Sequence, residues 1–209
     1  TKLGNMIAIA ARGGTDPTTN SSLALAIEKA RAANMPNANI QRAIDRINDK
    51  NAAALEEAVY EGYGPGGVGI IIETATDNKN RTYPEVRTAL TKNGGTMADS
   101  GSVMFQFARK GVIRVAASGE EALLTVLDAG AEDATEEDGG LTVYTDKKEL
   151  AKVREALLAA GMTVEDAELQ YVPNNTVAIE DDETARKLTK IIDALEALDD
   201  VTNVATNAA

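Results

Sequence analysis

The run Gly62-Tyr63-Gly64-Pro65-Gly66-Gly67 contains the spacing G-x-G-x-x-G. In dinucleotide sites such glycines let the backbone approach a pyrophosphate seated on the N-terminus of the helix that follows. Here Val68-Gly69-Ile70-Ile71-Ile72 follows, the pattern of a buried strand, and Pro65 removes an amide donor from the loop. The glycines are therefore read as a strand-to-strand turn that needs positive φ, and no cofactor is expected. Carboxylates are abundant, and Glu132, Asp133, Glu136, Glu137 and Asp138 lie close together. Paired acids can do acid–base work or hold Mg²⁺. These, however, flank the turn signal Asp138-Gly139, where repulsion keeps them in water, and Ala134 stands where a calcium loop would place its first ligand, counting back from Gly139. They are read as an acidic solvated face, with no metal. The chain has no Cys and no His, which excludes disulfides, thiol catalysis, Ser-His-Asp triads and Cys- or His-ligated zinc. No catalytic residue is named, and a carboxylate-dependent hydrolase rests on the abundance of acids alone.

The cations point elsewhere. Arg42 and Arg46 are spaced i, i+4, away from the stripe Ile40/Ile44/Ile47, and Lys29 and Arg31 lie on the preceding helix. That pattern fits either a solvated face, since Asp45 and Asp49 are interspersed, or a basic helical surface for a sugar-phosphate backbone. Thr76-Asp77-Asn78-Lys79-Asn80-Arg81-Thr82 links an apolar strand to a helix. It fits either a connection capped by Asn80 or Thr82, with a solvated charge pair, or a phosphate-contacting loop in which Lys79, Asn80 and Arg81 stand beside the free amides of a helix start. With Arg87 these residues complete the candidate nucleic-acid-binding set: Lys29, Arg31, Arg42, Arg46, Lys79, Asn80, Arg81 and Arg87.

Charge distribution limits where a polyanion can bind. The net charge is −12, yet residues 1–50 carry seven Lys/Arg against four Asp/Glu, and residues 112–173 carry five against fourteen. A polyanion must meet the first half, because the second repels it. Aromatics make up 3% and Trp is absent, so the core is aliphatic and a protein that stacks many bases of a single strand is disfavoured. No signal peptide and no apolar run of roughly 20 residues is present, so no membrane partner is expected. Asn-x-Ser/Thr matches begin at Asn20, Asn80 and Asn174 and are read as chance.

Periodicity places these residues on elements. Helices are expected over 3–11, from the Asn20-Ser21 loop to about Ala33, and after Asn34-Met35-Pro36, the last with Ile40, Ile44 and Ile47 inward. The period then changes to strands at Val59–Tyr63 and Val68–Thr74, a helix at Thr82–Lys92, and strands at Val103–Ala108 and Val112–Ala116. A helix at Glu120–Ala129, a hairpin around Asp138-Gly139, a helix at Lys147–Ala160 and a strand at Glu168–Val172 follow. The end reads as strand Thr176–Ile179, helix Glu183–Leu198 and strand Thr202–Thr206. Residues 112–172 thus have the strand-helix-strand-strand-helix-strand order of a ferredoxin-like unit. The expected class is α+β: a helical domain over 1–54, a discontinuous α+β domain over 55–111 and 174–209, and an acidic ferredoxin-like domain over 112–173 inserted into it. Two domains in series is the competing arrangement.

Several stretches resemble the YebC family. They are Leu25-Ala26-Ile27-Glu28-Lys29-Ala30 with Ala33-Asn34-Met35-Pro36, the Tyr60–Gly67 run, Thr76–Thr82, Asn93-Gly94-Gly95, Ser100-Gly101-Ser102-Val103, and Leu198-Asp199-Asp200-Val201 with Asn203-Val204. The resemblance covers essentially the whole chain, in order. It implies a helical N-terminal domain and two α+β domains, one inserted in the other. It also implies a cytoplasmic, non-enzymatic, probable transcriptional regulatory protein that binds DNA. Kinship with the mitochondrial translational activator of cytochrome c oxidase subunit I, and links of bacterial relatives to stalled ribosomes, imply the alternative of a translation factor. That alternative would meet ribosomal or transfer RNA on the ribosome. Neither reading calls for a small-molecule substrate. Relatives usually begin with a short Lys/Arg/His-rich segment, and this chain is expected to start after it. Ala205 departs from the aromatic often found there, without evident consequence.

Overall fold

The chain opens with three helices, α1 (Lys2–Ala10), α2 (Ser21–Ala32) and α3 (Asn37–Asp45), in a computed structural model that describes residues 1–209. Apolar residues at helical spacing give them a common core of Ile7, Ala11, Leu23, Ile27, Ala30, Ile40 and Ile44. Asn20 ties the first two together. Its side-chain oxygen caps α2 by accepting the Leu23 N–H at 3.1 Å, while its Nδ2 donates to the carbonyls of Ala10 at 2.7 Å and Gly14 at 2.8 Å. Asn34 takes a left-handed φ of 61° and turns the chain towards α3. Ile47 does not join the stripe and is 41% exposed. After Asp45 the chain tightens into a 3₁₀ turn at Arg46–Asn48, which swings the next side chains off the α-helical face.

Strands β1 (Glu56–Tyr63) and β2 (Gly69–Thr76), helix α4 (Lys79–Thr91) and the short strand β3 (Thr96–Met97) come next. Then follow β4 (Phe107–Val115), α5 (Glu120–Asp128), β5 (Asp133–Glu137), β6 (Gly140–Asp146), α6 (Leu150–Ala159) and β7 (Val164–Pro173). The chain closes with α7 (Asp182–Glu196) and β8 (Val201–Thr206). The strands form two sheets, ordered β3-β1-β2-β8 and β5-β6-β4-β7. Two compact units result, one of Thr1–Phe107 with Pro173–Ala209, the other of Ala108–Val172.

In the first unit, Ile70 and Ile72 of β2 pack with Val86 and Leu90 of α4, Leu188, Ile191 and Leu195 of α7, and Val201 of β8. Burying each such side chain contributes about 1.5–3 kcal/mol, which is what holds both helices on one face of the sheet. Pro65–Gly67 makes a 3₁₀ turn between β1 and β2, with positive φ of 76° at Gly66 and 78° at Gly67, and a strand, not a helix, follows. The second unit has the ferredoxin-like strand order, with Ile113 of β4 opposite Val143 of β6 and Val115 opposite Leu141, all fully buried. It interrupts the first unit where the Asn174 N–H donates to the Gln106 carbonyl at 2.8 Å. Asp138 and Gly139 both take positive φ between β5 and β6, as a two-residue hairpin turn requires.

Several elements differ from the sequence expectation. The segment expected as a strand at Val103–Ala108 is instead a 3₁₀ turn at Met104–Gln106 leading into one uninterrupted strand, β4. Glu61 takes the amides of Val103 and Met104, so they cannot join a ladder. Thr176–Ile179 is not a strand: it makes only an isolated parallel bridge between Val177 and Ala208. The sixth helix starts at Leu150 rather than Lys147, because Asp146 accepts the Lys148 N–H at 2.8 Å and holds a turn there. β3 had no signal in so short a run.

Candidate nucleic-acid interface

The eight candidate residues all lie in the first unit, on α2, α3, the 3₁₀ turn that follows α3, and α4. Arg31 ends α2 and is exposed, and Lys29 beside it is partly buried. Asn37, Asn39, Gln41 and Arg42 are exposed on α3. Arg42 donates to Asn39 Oδ1 at 3.2 Å and Gln41 to Asp45 Oδ1 at 2.9 Å, so the helix surface is a band of amide and guanidinium groups, with Asp45 the acid on it. Arg12 and Lys50 are further exposed cations that the sequence reading did not single out.

Arg46 is turned away from that band. Its guanidinium donates to Asn5 Oδ1 at 3.3 Å and the Ala53 carbonyl at 3.4 Å, and lies 3.8 Å from Asp77. It braces α1 and the loop before α4.

The Thr76–Thr82 connection is capped by Asn78, whose side-chain oxygen accepts the Arg81 N–H at 3.3 Å. Neither Asn80 nor Thr82 does this. Asn80 is exposed, and the Thr82 hydroxyl, buried, donates to Asp200 Oδ2 at 2.8 Å and meets Thr76 Oγ1 at 2.8 Å. Arg81 donates to Asp200 through Nε at 3.2 Å and Nη2 at 2.9 Å, and to Asp77 Oδ1 at 3.1 Å. Those hydrogen bonds, first to Asp200 and then to Asp77, raise the guanidinium pKa further above its ordinary value. Lys79 pairs with Glu56 of β1 at 3.1 Å. Arg87 is exposed further along α4. The structure thus separates Arg46, Lys79 and Arg81, each facing a carboxylate, from the exposed Arg31, Arg42 and Arg87.

Asp200 had no assigned role in the sequence, because nothing in Leu198-Asp199-Asp200-Val201 reveals a partner at Arg81. The acidic run behaves as surface. Glu132 pairs with Lys110 at 3.0 Å, and Glu136 accepts the Gly119 N–H at 2.5 Å. No group of three or more His, Cys, Asp or Glu side chains is arranged to hold a metal ion.

Comparison with known proteins fits this architecture. Residues 1–50 match the TACO1/YebC protein N-terminal domain, and residues 55–208 match the TACO1/YebC second and third domain. The chain belongs to the TACO1/YebC family. A family member from Moorella thermoacetica is 50% identical over all of this chain and 85% of its own length. Another, from Roseiflexus castenholzii, is 49% identical over 99% of this chain and 85% of its own. Both carry the name probable transcriptional regulatory protein. A crystal structure of a conserved hypothetical protein from Aquifex aeolicus superposes with a TM-score of 0.93 at 43% identity, over all of this chain and 88% of that one. No helix is long and apolar enough to cross a membrane.

Proposed function

We propose that this TACO1/YebC protein is a non-enzymatic, cytoplasmic regulator of gene expression that acts by binding DNA through its N-terminal helices and the exposed Arg87 of α4. The observation that carries the reading is the exposed band of Asn37, Asn39, Gln41 and Arg42 on α3, next to Arg31 at the end of α2. The two helices are joined by the short link Ala33–Pro36. Arginine contacts phosphate or guanine, and side-chain amides read base edges, so this helix has the groups that groove recognition uses. The regulatory name of its relatives supports the same reading.

The test is fluorescence anisotropy of labelled duplex DNA across a salt series, with Arg31→Ala, Arg42→Ala and Arg87→Ala combined. Each phosphate contact removed should flatten the log–log salt dependence by about one unit at most. An unchanged affinity and slope would put the contact surface elsewhere.

A second reading, a translation factor binding ribosomal or transfer RNA, is favoured by one observation. The second unit carries seven Lys/Arg against fourteen Asp/Glu, a sign suited to basic ribosomal proteins and not to nucleic acid. Sedimentation of lysate through sucrose at low and high salt separates the two. Co-migration with ribosomes that weakens with salt selects the second, and free sedimentation with promoter retention selects the first.

A further inference from the structure

Glu61 of β1 is 3% exposed, and its carboxylate gathers the loop that follows β3. It accepts the N–H of Gly101 at 2.6 Å, of Val103 at 2.9 Å and of Met104 at 2.6 Å, while its backbone carbonyl accepts the Ala98 N–H at 2.9 Å. Val103 is fully buried against Gly69 of β2, where an added Cβ would stand 2.7 Å from Val103 Cγ1. The next ring along the chain has no such cover: Phe105 is 73% exposed, above every other large apolar side chain.

Its backbone is nonetheless fixed. The Phe105 carbonyl accepts from Asn174 Nδ2 at 3.3 Å, and Gln106 is held through its carbonyl by the Asn174 N–H at 2.8 Å and through its side-chain oxygen by Asn207 Nδ2 at 3.0 Å. A flat apolar ring is therefore presented to water on a clamped turn, with its entropy of ordering already spent in folding.

We propose that Phe105 is a stacking platform for one unpaired nucleobase, a proposal that rests on the nucleic-acid reading above and adds a second contact to it. The surroundings select the ligand. A ring that plugs a partner protein's pocket sits at the centre of an apolar patch. Phe105 instead has Gln106 next to it in sequence and Asn174 bonded to its carbonyl, neutral amides that both donate and accept. A nucleobase offers a flat face with a hydrogen-bonding rim, and a ring bordered by amides matches both parts. The scarcity of aromatics fits one base and not a stacked strand.

The chain has no Trp, so Phe105→Trp creates a single indole emitter at the site. Titration with a short single-stranded RNA or DNA should quench that emission with the affinity that anisotropy reports for the same oligonucleotide. Phe105→Ala should weaken binding of the unpaired strand by roughly tenfold and leave a fully paired duplex unaffected. Phe105→Leu should not restore it. Circular dichroism and melting should match the parent for all three, since the side chain is exposed. If the oligonucleotide binds while the indole emission stays unchanged and Phe105→Ala keeps full affinity, stacking is overturned and the cationic reading stands. If Phe105→Leu binds as the parent does, the ring is an apolar contact and stacking is again overturned. If the parent binds no oligonucleotide at all, both readings fail.

Discussion

Asp200 takes the guanidinium of Arg81 from 119 positions away, through Nε at 3.2 Å and Nη2 at 2.9 Å, and so ties the start of α4 to the turn before β8. The two ends of the pair differ in exposure. The Asp200 side chain is 7% exposed and the Arg81 side chain 44%. Arg81→Ala leaves a buried carboxylate with the hydroxyls of Thr76 and Thr82 as its remaining side-chain donors. Asp200→Asn leaves Arg81 able to turn to water and to Asp77. Calorimetry should therefore show the larger loss for Arg81→Ala, with melting lowered by roughly 5 °C. Arg81→Lys should recover little, because an ammonium cannot reproduce the fork. Equal losses for Arg81→Ala and Asp200→Asn would mean that the carboxylate is not held by the guanidinium.

Glu61 gives a pH signature. Burial raises its carboxyl pKa, but the amides of Gly101, Met104 and Val103 outweigh burial and bring the net value below the usual 4.5. A carboxyl lowered in the folded state stabilises fully above its unfolded pKa, and loses that contribution as pH falls through the folded value. Glu61→Gln should thus cost about 2 kcal/mol at pH 7, where an amide turns one NH₂ against N–H donors, and cost progressively less below about pH 4. Urea titrations at pH 7 and pH 3 check this. A gap between parent and variant that stays constant over that range would show that the fold does not favour the ionised carboxylate, its pKa being the same folded and unfolded.

Gly69 and Val103 should behave as one unit. Adding a Cβ at position 69 drives it into Val103 Cγ1, so Gly69→Ala should cost about 1–3 kcal/mol by overpacking. Val103→Ala opens the same space and has its own cavity cost. The double variant should be more stable than the sum of the two losses allows, by at least about 0.5 kcal/mol. Strict additivity in chemical denaturation would show that the loop does not press on β2 at this point.

What the sequence made legible, and what it hid, follows from how far each interaction reaches along the chain. Local signals carried the fold class. The Ile40/Ile44 spacing, the glycines after helices and the Asp138-Gly139 turn act within a few residues, and the ferredoxin-like order over 112–172 is that of the second sheet. Long-range capture was not legible. The Val103–Ala108 stretch has β-forming composition, but Glu61 takes its first two amides, of Val103 and Met104, from more than 40 residues away, and only Phe107 and Ala108 join β4. Arg81 reads in sequence as part of a solvated charge pair or as a phosphate contact, because its partner Asp200 lies 119 residues off. Asn80 and Thr82 are as good capping types as Asn78, so only the backbone decides among them. Ile47 fitted the stripe by count and left it because the helix tightened one residue earlier.

The insertion predicts separable parts. The second unit has its own buried set, with Ile113, Val115, Leu141 and Val143 on the sheet and Val126, Val153 and Leu157 on its helices. The first unit closes where the Asn174 N–H meets the Gln106 carbonyl, so a short Gly-Ser linker can replace the excised residues. Ala108–Val172 expressed alone, and Thr1–Phe107 joined to Pro173–Ala209, should each melt cooperatively. The smaller piece should be the less stable, since a short chain buries a smaller share of its surface. Excision also removes seven Lys/Arg and fourteen Asp/Glu, while the proposed contacts on α2, α3 and α4 stay. The joined first unit should therefore bind oligonucleotide at least as tightly as the whole chain at low salt. Any gain should shrink as salt is raised towards about 0.15 M, where charge repulsion is screened beyond roughly 8 Å. Loss of binding in a first unit that still folds would place essential contacts in the acidic unit, against the charge argument.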